Sequence, residues 1–430
     1  MTKPWHGLLP TLGIAIMLAG CGTGQQPADT PAPIAGAPAA LRVEAAPADP
    51  TRRQVVIRFS NRDQLAELAT SGIDLFENVD HAQRTVGATV TARTEPVLKR
   101  LGVSYTDDAR VSAMGLPAGY QTVEQIYADM KALAAAHPTF ISYVEFGQSL
   151  ETRQGKANRP IAALRVTAKR DAGLPAIRLG AGVHARELPP VAIMTRFAHT
   201  LADGYGEDPA ITKLVDTKDI WIVPLQNPDG RARVDKGEAM WRKNTRHDTT
   251  SPDGVDCNRN ADDHFQQGTS DPRAEDFRGT APFSEPESQA IRDLAKKQPF
   301  DVSLDMHAYG GMVLWPPGYD TSHTRDEAAF RRIGEALGKR LGYRSGTIAH
   351  TVYPTFGDTA TWEYTTHGTL AFAAELDCGS FSPAHSEVDR QWTKWKPALL
   401  DLVAQSGSSR KPTERKPEPT PSPAPSSTTR

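Results

Sequence analysis

Apolar and polar residues alternate along the chain in two different periods. Four near-continuous apolar runs predict buried strands, at residues 177–183, 220–223, 302–306 and 370–374. Four segments with amphipathic spacing predict helices, at residues 189–201, 287–297, 326–341 and 392–403. This alternation predicts an α/β fold with a mixed, mostly parallel sheet and helices on both faces. We expect the domain to cover residues 120–405 and to begin at a capping box, Thr122-x-x-Gln125.

A shorter block at residues 51–110 has its own pattern. Apolar runs predict strands at residues 55–59, 73–76, 86–90 and 103–105, and the caps Asn61 and Thr94 predict two helices between them. The resulting order, β-α-β-β-α-β, is typical of a small α+β domain of the ferredoxin-like type.

The two ends of the chain differ from these blocks in composition. Residues 21–50 are rich in Ala and Pro, and residues 406–430 are rich in Pro, Ser and Thr. Neither segment has enough bulky apolar residues to offset the entropy of ordering it. We therefore expect a disordered tether and a disordered tail.

The first 20 residues predict an export signal. Lys3 precedes an apolar run at residues 8–18, which is shorter than the roughly 20 residues needed to cross a bilayer. Leu18-Ala19-Gly20-Cys21 resembles the lipobox of bacterial lipoproteins. That resemblance implies an exported, membrane-anchored lipoprotein with acyl chains on Cys21. A plain secretory signal and an extracytoplasmic protein is the alternative.

Composition excludes one class of partner. The formal net charge is -2, so the chain lacks the basic excess that nucleic-acid binding requires. We expect a monomer that does not bind nucleic acid.

Three residues have the chemistry of a metal site. His184 and Glu187 follow the first strand of the large domain at a spacing of three, where open α/β sheets bind ligands, and His307 follows a later strand. Alone, the His184 and Glu187 pair is weak evidence, because such a spacing arises by chance. Two imidazoles and one carboxylate, with a fourth position left for water, are typical of a catalytic zinc site.

The two segments that carry these residues resemble a known family. Gly182-Val183-His184-Ala185-Arg186-Glu187 and Asp305-Met306-His307-Ala308-Tyr309 resemble the two zinc motifs of the carboxypeptidase A superfamily. The resemblance implies one zinc ion per chain and hydrolysis of the C-terminal peptide bond of peptides or proteins. It also implies that residues 51–110 are a propeptide-like domain; an accessory domain or spacer remains the alternative.

The resemblance also implies roles for other residues. Glu375 matches the general base, and Arg242 matches the arginine that polarises the scissile carbonyl. The matches to residues that bind the substrate are Asn258 and Arg259 for its terminal carboxylate, Tyr353 for closure over it, and Arg186 for a positive subsite.

The chain departs from the family at two positions. Ala308 replaces a serine of the pancreatic members, and Ala360 lies where the family floors the pocket for the departing side chain. Ala360 suggests an apolar or broad preference, whereas the nearby Asp358 keeps a basic preference open. Export permits a disulfide between Cys257 and Cys378, and this pairing also stays open.

Two other functions fit parts of the pattern. A cell-wall peptidase of the same superfamily would act on peptidoglycan stem peptides, but the Asn258-Arg259 pair argues against it. A catalytically inactive peptide-binding protein would lack Glu375 or a metal ligand, and the sequence lacks neither.

Overall fold

The computed structural model describes residues 52–108 and 116–407. The predicted signal peptide, the Cys21 anchor, the tether and residues 408–430 of the tail lie outside these ranges. Within them, no helix is both long and apolar enough to cross a membrane.

The small domain consists of four strands and two helices. Its elements are β1 (Arg53–Arg58), α1 (Arg62–Ala69), β2 (Asp74–Leu75), β3 (Thr85–Val90), α2 (Glu95–Arg100) and β4 (Ser104–Asp107). The sheet is antiparallel, in the order β2-β3-β1-β4. The predicted order of elements is therefore confirmed, while its assignment to the ferredoxin-like type stays a prediction. Asn61 caps α1 through its side chain, but Thr94 makes no such bond to α2 and accepts one from the Thr91 N–H instead.

The large domain has an eight-stranded sheet. Its strands are β5 (Ile141–Gln148), β6 (Pro160–Val166), β7 (Ala176–Ala181), β8 (Asp219–Val223), β9 (Val302–Ala308), β10 (Met312–Trp315), β11 (Arg344–Thr347) and β12 (Leu370–Leu376). Their order is β11-β10-β12-β9-β7-β8-β6-β5. The three central pairs, β12-β9, β9-β7 and β7-β8, are parallel. The pairs on either side of them, β10-β12 and β8-β6, are antiparallel. The predicted mixed, mostly parallel sheet is confirmed.

Helices cover both faces of this sheet. They are α3 (Val123–Ala136), α4 (Leu150–Arg153), α5 (Leu188–Gly204), α6 (Pro209–Thr217), α7 (Pro228–Asp235), α8 (Pro286–Lys297), α9 (Glu327–Leu341), α10 (Ile348–Thr351), α11 (Thr359–Trp362) and α12 (Ser386–Gln405). The largest core lies on the side of α3, α5, α6, α9 and α12, and α8 packs on the other side. The capping box at Thr122 and Gln125 forms as predicted.

Strand register and one glycine bring the functional residues together. In the parallel pair β9 and β12, Glu375 lies opposite His307. Beyond β7 the chain turns at Gly182, whose φ of +68° is unfavourable for residues with a Cβ. A Cβ there would also lie 3.2 Å from the Pro224 carbonyl oxygen. The turn leads His184 toward the end of β9.

A buried network of charged side chains includes Asp305 of β9. The guanidinium of Arg178 donates to both oxygens of Asp305 at 2.8 Å, and to both oxygens of Glu363 at 3.0 and 2.9 Å. All three side chains are buried. Because unpaired charges are costly inside a protein, Arg178 stabilises this pair of carboxylates by donating to both. Its attraction lowers the pKa of Asp305 although burial alone would raise it.

We expect Arg178→Met to lower the free energy of unfolding by about 3–5 kcal/mol, because it leaves two buried carboxylates unpaired. The control is Arg331→Met, which removes the exposed pair between Arg331 and Glu335 and should cost at most about 1 kcal/mol. Urea unfolding of the full chain measures both. Equal effects of the two substitutions would contradict this account of the network.

Candidate active site

Three predicted metal ligands converge at the carboxyl ends of β7 and β9. His184 Nδ1 lies 2.7 Å from Glu187 Oε1, and His307 Nδ1 lies 3.1 Å from Glu187 Oε2. The two Nδ1 atoms are 3.2 Å apart. All three side chains are buried, and among the described residues they form the one His/Cys/Asp/Glu group that could hold a metal ion.

The geometry of this group fits a tetrahedral zinc ion. Two ligand atoms at zinc bond lengths in a tetrahedral site lie about 3.3 Å apart, close to the observed separation of the imidazole nitrogens. Burial by itself lowers the pKa of His307, but the adjacent Glu187 carboxylate raises it to about 9. The cluster therefore favours positive charge at its centre, as a cation-binding site does.

Sequence reasoning missed Asp256, which links two functional residues. Its Oδ1 lies 3.3 Å from His184 Nε2, the ring nitrogen away from the cluster, and its Oδ2 accepts from Arg242 Nε at 3.1 Å. A carboxylate behind a metal-bound imidazole commonly orients the ring. The signal was available, because Asp256 lies two residues before Asn258, which the sequence already predicted to bind the substrate.

Glu375 lies beside the cluster without being part of it. Its side chain is buried, and its Oε2 has no hydrogen-bond partner among the residues that the structure describes. Burial raises the pKa of Glu375 well above its usual range, and the nearby carboxylates of Glu77 and Glu187 raise it further. A carboxyl group with an unoccupied oxygen and an elevated pKa has the properties of a proton acceptor.

All the predicted substrate-binding residues except Arg186 line one cavity with Glu375 and the two histidines. The cavity, of about 50 Å³, is lined by His184, His307, Glu375, Asn258, Arg259 and Tyr353. The Oδ1 of Asn258 accepts from the Thr359 N–H at 3.0 Å. This hydrogen bond connects the Asn258-Arg259 pair to the start of α11. Arg242 is buried and lines an adjoining cavity with Arg259.

Part of the lining of the cavity that contains His184 and His307 is apolar. Leu314, Ile348, Val352 and Ala360 contribute to it. Asp358 also lines it, but its carboxylate is occupied: Oδ1 accepts from the Thr361 N–H at 2.8 Å, and Oδ2 accepts from the hydroxyls of Thr355 and Thr361. Asp358 thus caps α11.

The small domain covers the mouth of the cleft. Asp74 makes a bidentate ion pair with Arg186 at 2.7 and 2.8 Å, so the arginine predicted to extend the substrate site is already occupied. Glu77 Oε1 lies 3.6 Å from Arg242 Nη1, and the Tyr353 hydroxyl donates to the Leu75 carbonyl at 3.4 Å.

The Cys257–Cys378 disulfide, left open by the sequence, is not formed. Both cysteines are free and buried. Cys378 belongs to the large core, whereas Cys257 lines a separate cavity next to Glu287 of α8. Burial raises the pKa of both thiols.

Comparison with known proteins agrees with this arrangement. Residues 126–398 match the family model described as zinc carboxypeptidase. Carboxypeptidase A2 of Mus musculus is 35% identical over 269 residues, which cover 60% of this chain and 62% of that protein. Carboxypeptidase A4 of Mus musculus is 30% identical over 319 residues, which cover 72% of each chain.

The fold has a solved counterpart. The crystal structure of carboxypeptidase A from Helicoverpa armigera aligns with a TM-score of 0.71 and 21% identity, covering 83% of this chain and 97% of that one. At this identity the similarity shows the fold alone. Together with the family match over more than half of the chain, it leads to one assignment: the chain belongs to the zinc carboxypeptidase family.

Proposed function

We propose that the protein is a zinc-dependent carboxypeptidase that removes the C-terminal residue of peptides. The observation that carries this proposal is that Glu375, whose Oε2 has no hydrogen-bond partner among the described residues, lines one cavity with the His184 and His307 ligands and with Arg259. A metal site, a proton acceptor and an anion-binding guanidinium in one cavity are the groups that hydrolysis of a terminal peptide bond requires.

His184, Glu187 and His307 would hold the zinc ion, which supplies an acidified water and a Lewis acid when bound. Glu375 accepts the proton of the attacking water and returns it to the leaving amine. Arg242 stabilises the negative charge that develops on the scissile carbonyl oxygen. Asp256 keeps Arg242 and the His184 ring in place.

Arg259 and Asn258 orient the substrate by binding its terminal carboxylate, because a guanidinium pairs with a carboxylate through two parallel hydrogen bonds. Leu314, Ile348 and Ala360 favour an apolar C-terminal side chain. The carboxylate of Asp358 is engaged by three donors, so it has little capacity left to pair with a Lys or Arg side chain.

We also propose that the small domain inhibits the enzyme while it is docked. Its residues 74–77 lie over the cleft, and their carboxylates contact the arginines that a substrate would need. Burial alone would raise the pKa of Asp74, but the attraction of Arg186 outweighs burial and lowers it. The pair is therefore charged at neutral pH and holds the domain in place.

The full chain carrying Asp74→Asn and Glu77→Gln should show at least about tenfold higher kcat/KM than the unaltered chain, because a charge-assisted pair is removed. The matched control is Asp63→Asn with Glu67→Gln, which makes the same charge change on the exposed face of α1. A rise in the control as well, or in neither chain, would contradict docking inhibition.

The unaltered chain and the Asp74→Asn/Glu77→Gln chain, both loaded with zinc, should release free amino acids faster from peptides that end in Phe or Leu than from peptides that end in Lys or Arg. A chelator should abolish release and zinc should restore it. Glu375→Gln should lower kcat by about 10²–10⁴-fold while zinc binding is kept. Mass spectrometry of the products provides the measurement.

The control for the general base is Glu335→Gln on the exposed face of α9, which should leave release unchanged. Peptides with an amidated C-terminus should be poor substrates, because Arg259 then has no carboxylate to bind. Cleavage of muropeptides but not of linear peptides would favour a cell-wall peptidase. Full activity of the Glu375→Gln chain would rule out its proposed role.

We further propose, from the sequence motif, that the protein is exported and anchored by acyl chains on Cys21. In a bacterial host, the unaltered protein should fractionate with membranes, and Cys21→Ser should move it to the soluble fraction. Equal membrane association of the two chains would exclude this anchor.

A further inference from the structure

A loop at residues 268–278, the rim loop, brings an unusual carboxylate to the cleft. Asp276 Oδ2 accepts from the Thr269 hydroxyl at 2.5 Å, but its Oδ1 is buried and has no hydrogen-bond partner within residues 52–108 and 116–407. Burial raises the pKa of Asp276 to about 6 despite that bond and the attraction of Arg259. A buried, unpartnered carboxylate oxygen is costly unless a donor reaches it.

The position of Asp276 indicates which donor that is. It lines a cavity of about 20 Å³ together with Arg242, Arg259 and Tyr353. Arg259 and Tyr353 also line the first cavity, together with Ala360 and the metal ligands His184 and His307, whereas none of the three metal ligands lines the second. In the proposed binding mode the terminal carboxylate binds Arg259 and the scissile carbonyl binds Arg242, which lines the second cavity and not the first. The residue before the scissile bond carries that carbonyl, so it lies nearest the second cavity once residues 73–75 of the docked small domain, which also line this cavity, have left.

The docked small domain already presents cations to this loop. Arg52 Nη1 lies 2.9 Å from Glu275 Oε1, and Arg93 Nη1 lies 2.7 Å from Asp271 Oδ2. Two arginines of the covering domain thus pair with two acids of the rim loop. This complementarity is independent of Asp276.

The basic residues of the rim loop itself do not neutralise Asp276. Arg278 stacks over the Phe265 ring and donates to the Phe265 carbonyl, so its guanidinium is engaged there. Arg273 is exposed, and its carbonyl accepts from Arg93. The rim loop itself carries three acids, Asp271, Glu275 and Asp276, against the two arginines Arg273 and Arg278. The basic neighbours of Asp276 in the large domain are Arg259 and the buried Lys243, whose Nζ donates to the Ala274 carbonyl.

We propose that Asp276, assisted by Glu275 and Asp271, is a specificity-determining residue that selects substrates with Lys or Arg just before the scissile bond. This inference rests on the proposed carboxypeptidase activity. A basic side chain at that position donates to the unpartnered Oδ1 and replaces the arginines of the docked domain. An acidic side chain there is repelled.

The test uses three peptides that end in Phe and differ in the preceding residue: Lys, Ala or Glu. In the zinc-loaded Asp74→Asn/Glu77→Gln full chain, kcat/KM for the Lys peptide should exceed that for the Glu peptide by at least about tenfold, as for one charge-assisted contact. Asp276→Asn should reduce this ratio about tenfold, mainly through KM. Added salt should reduce it as well.

Asp203→Asn, at an exposed position of α5, is the matched control and should leave the ratio unchanged. An unchanged ratio in the Asp276→Asn chain, or a preference for the Glu peptide, overturns the inference. No release from any of the three peptides counts against the proposed activity instead. In that case, binding of the same peptides to the zinc-loaded Asp74→Asn/Glu77→Gln chain that also carries Glu375→Gln, measured by fluorescence anisotropy, decides: tighter binding of the Lys peptide that Asp276→Asn abolishes supports the inference, and equal binding overturns it.

Discussion

The compensation of buried charge is the constraint on which this structure depends. His184, Glu187, His307 and Glu375 are all buried within one cleft at the ends of the central strands. Such groups are tolerated inside a protein only where partners or a cation balance them. The arrangement of β7, β9 and β12 places the groups, and the surrounding acids and arginines balance them.

Two groups of charged side chains balance the buried residues of the site. Beneath the site, Arg178 holds Asp305, two residues before His307 on the same strand. Behind the site, Asp256 joins His184 to Arg242, so that one carboxylate orients a metal ligand and an arginine of the cleft at once. Glu375 differs from Asp305 and Asp256 because one of its carboxylate oxygens has no hydrogen-bond partner in the described part of the chain. That difference is the physical basis for assigning it to proton transfer.

Charged residues of the small domain also balance charged residues of the cleft. Its carboxylates at Asp74 and Glu77 approach Arg186 and Arg242, while Arg52 approaches the acid Glu275. Arg186, Arg242 and Glu275 of the cleft are thus each met by an opposite charge of the covering domain. An inhibitory segment of this kind is complementary to the cleft for the same reasons that a substrate is.

The sequence by itself determined the features that depend on neighbouring residues. Apolar runs predicted the central strands, the Thr122 capping box predicted the start of the large domain, and the two zinc motifs predicted the ligands that the structure brings together. Only the tertiary structure decided the contacts between distant segments: Asp256 with His184, Asp74 with Arg186, the capping role that occupies Asp358, and the separation of Cys257 from Cys378. Local pattern reports which backbone geometry and burial a segment prefers, whereas the partner of a buried charge is set by strand register and domain docking, which no single segment encodes.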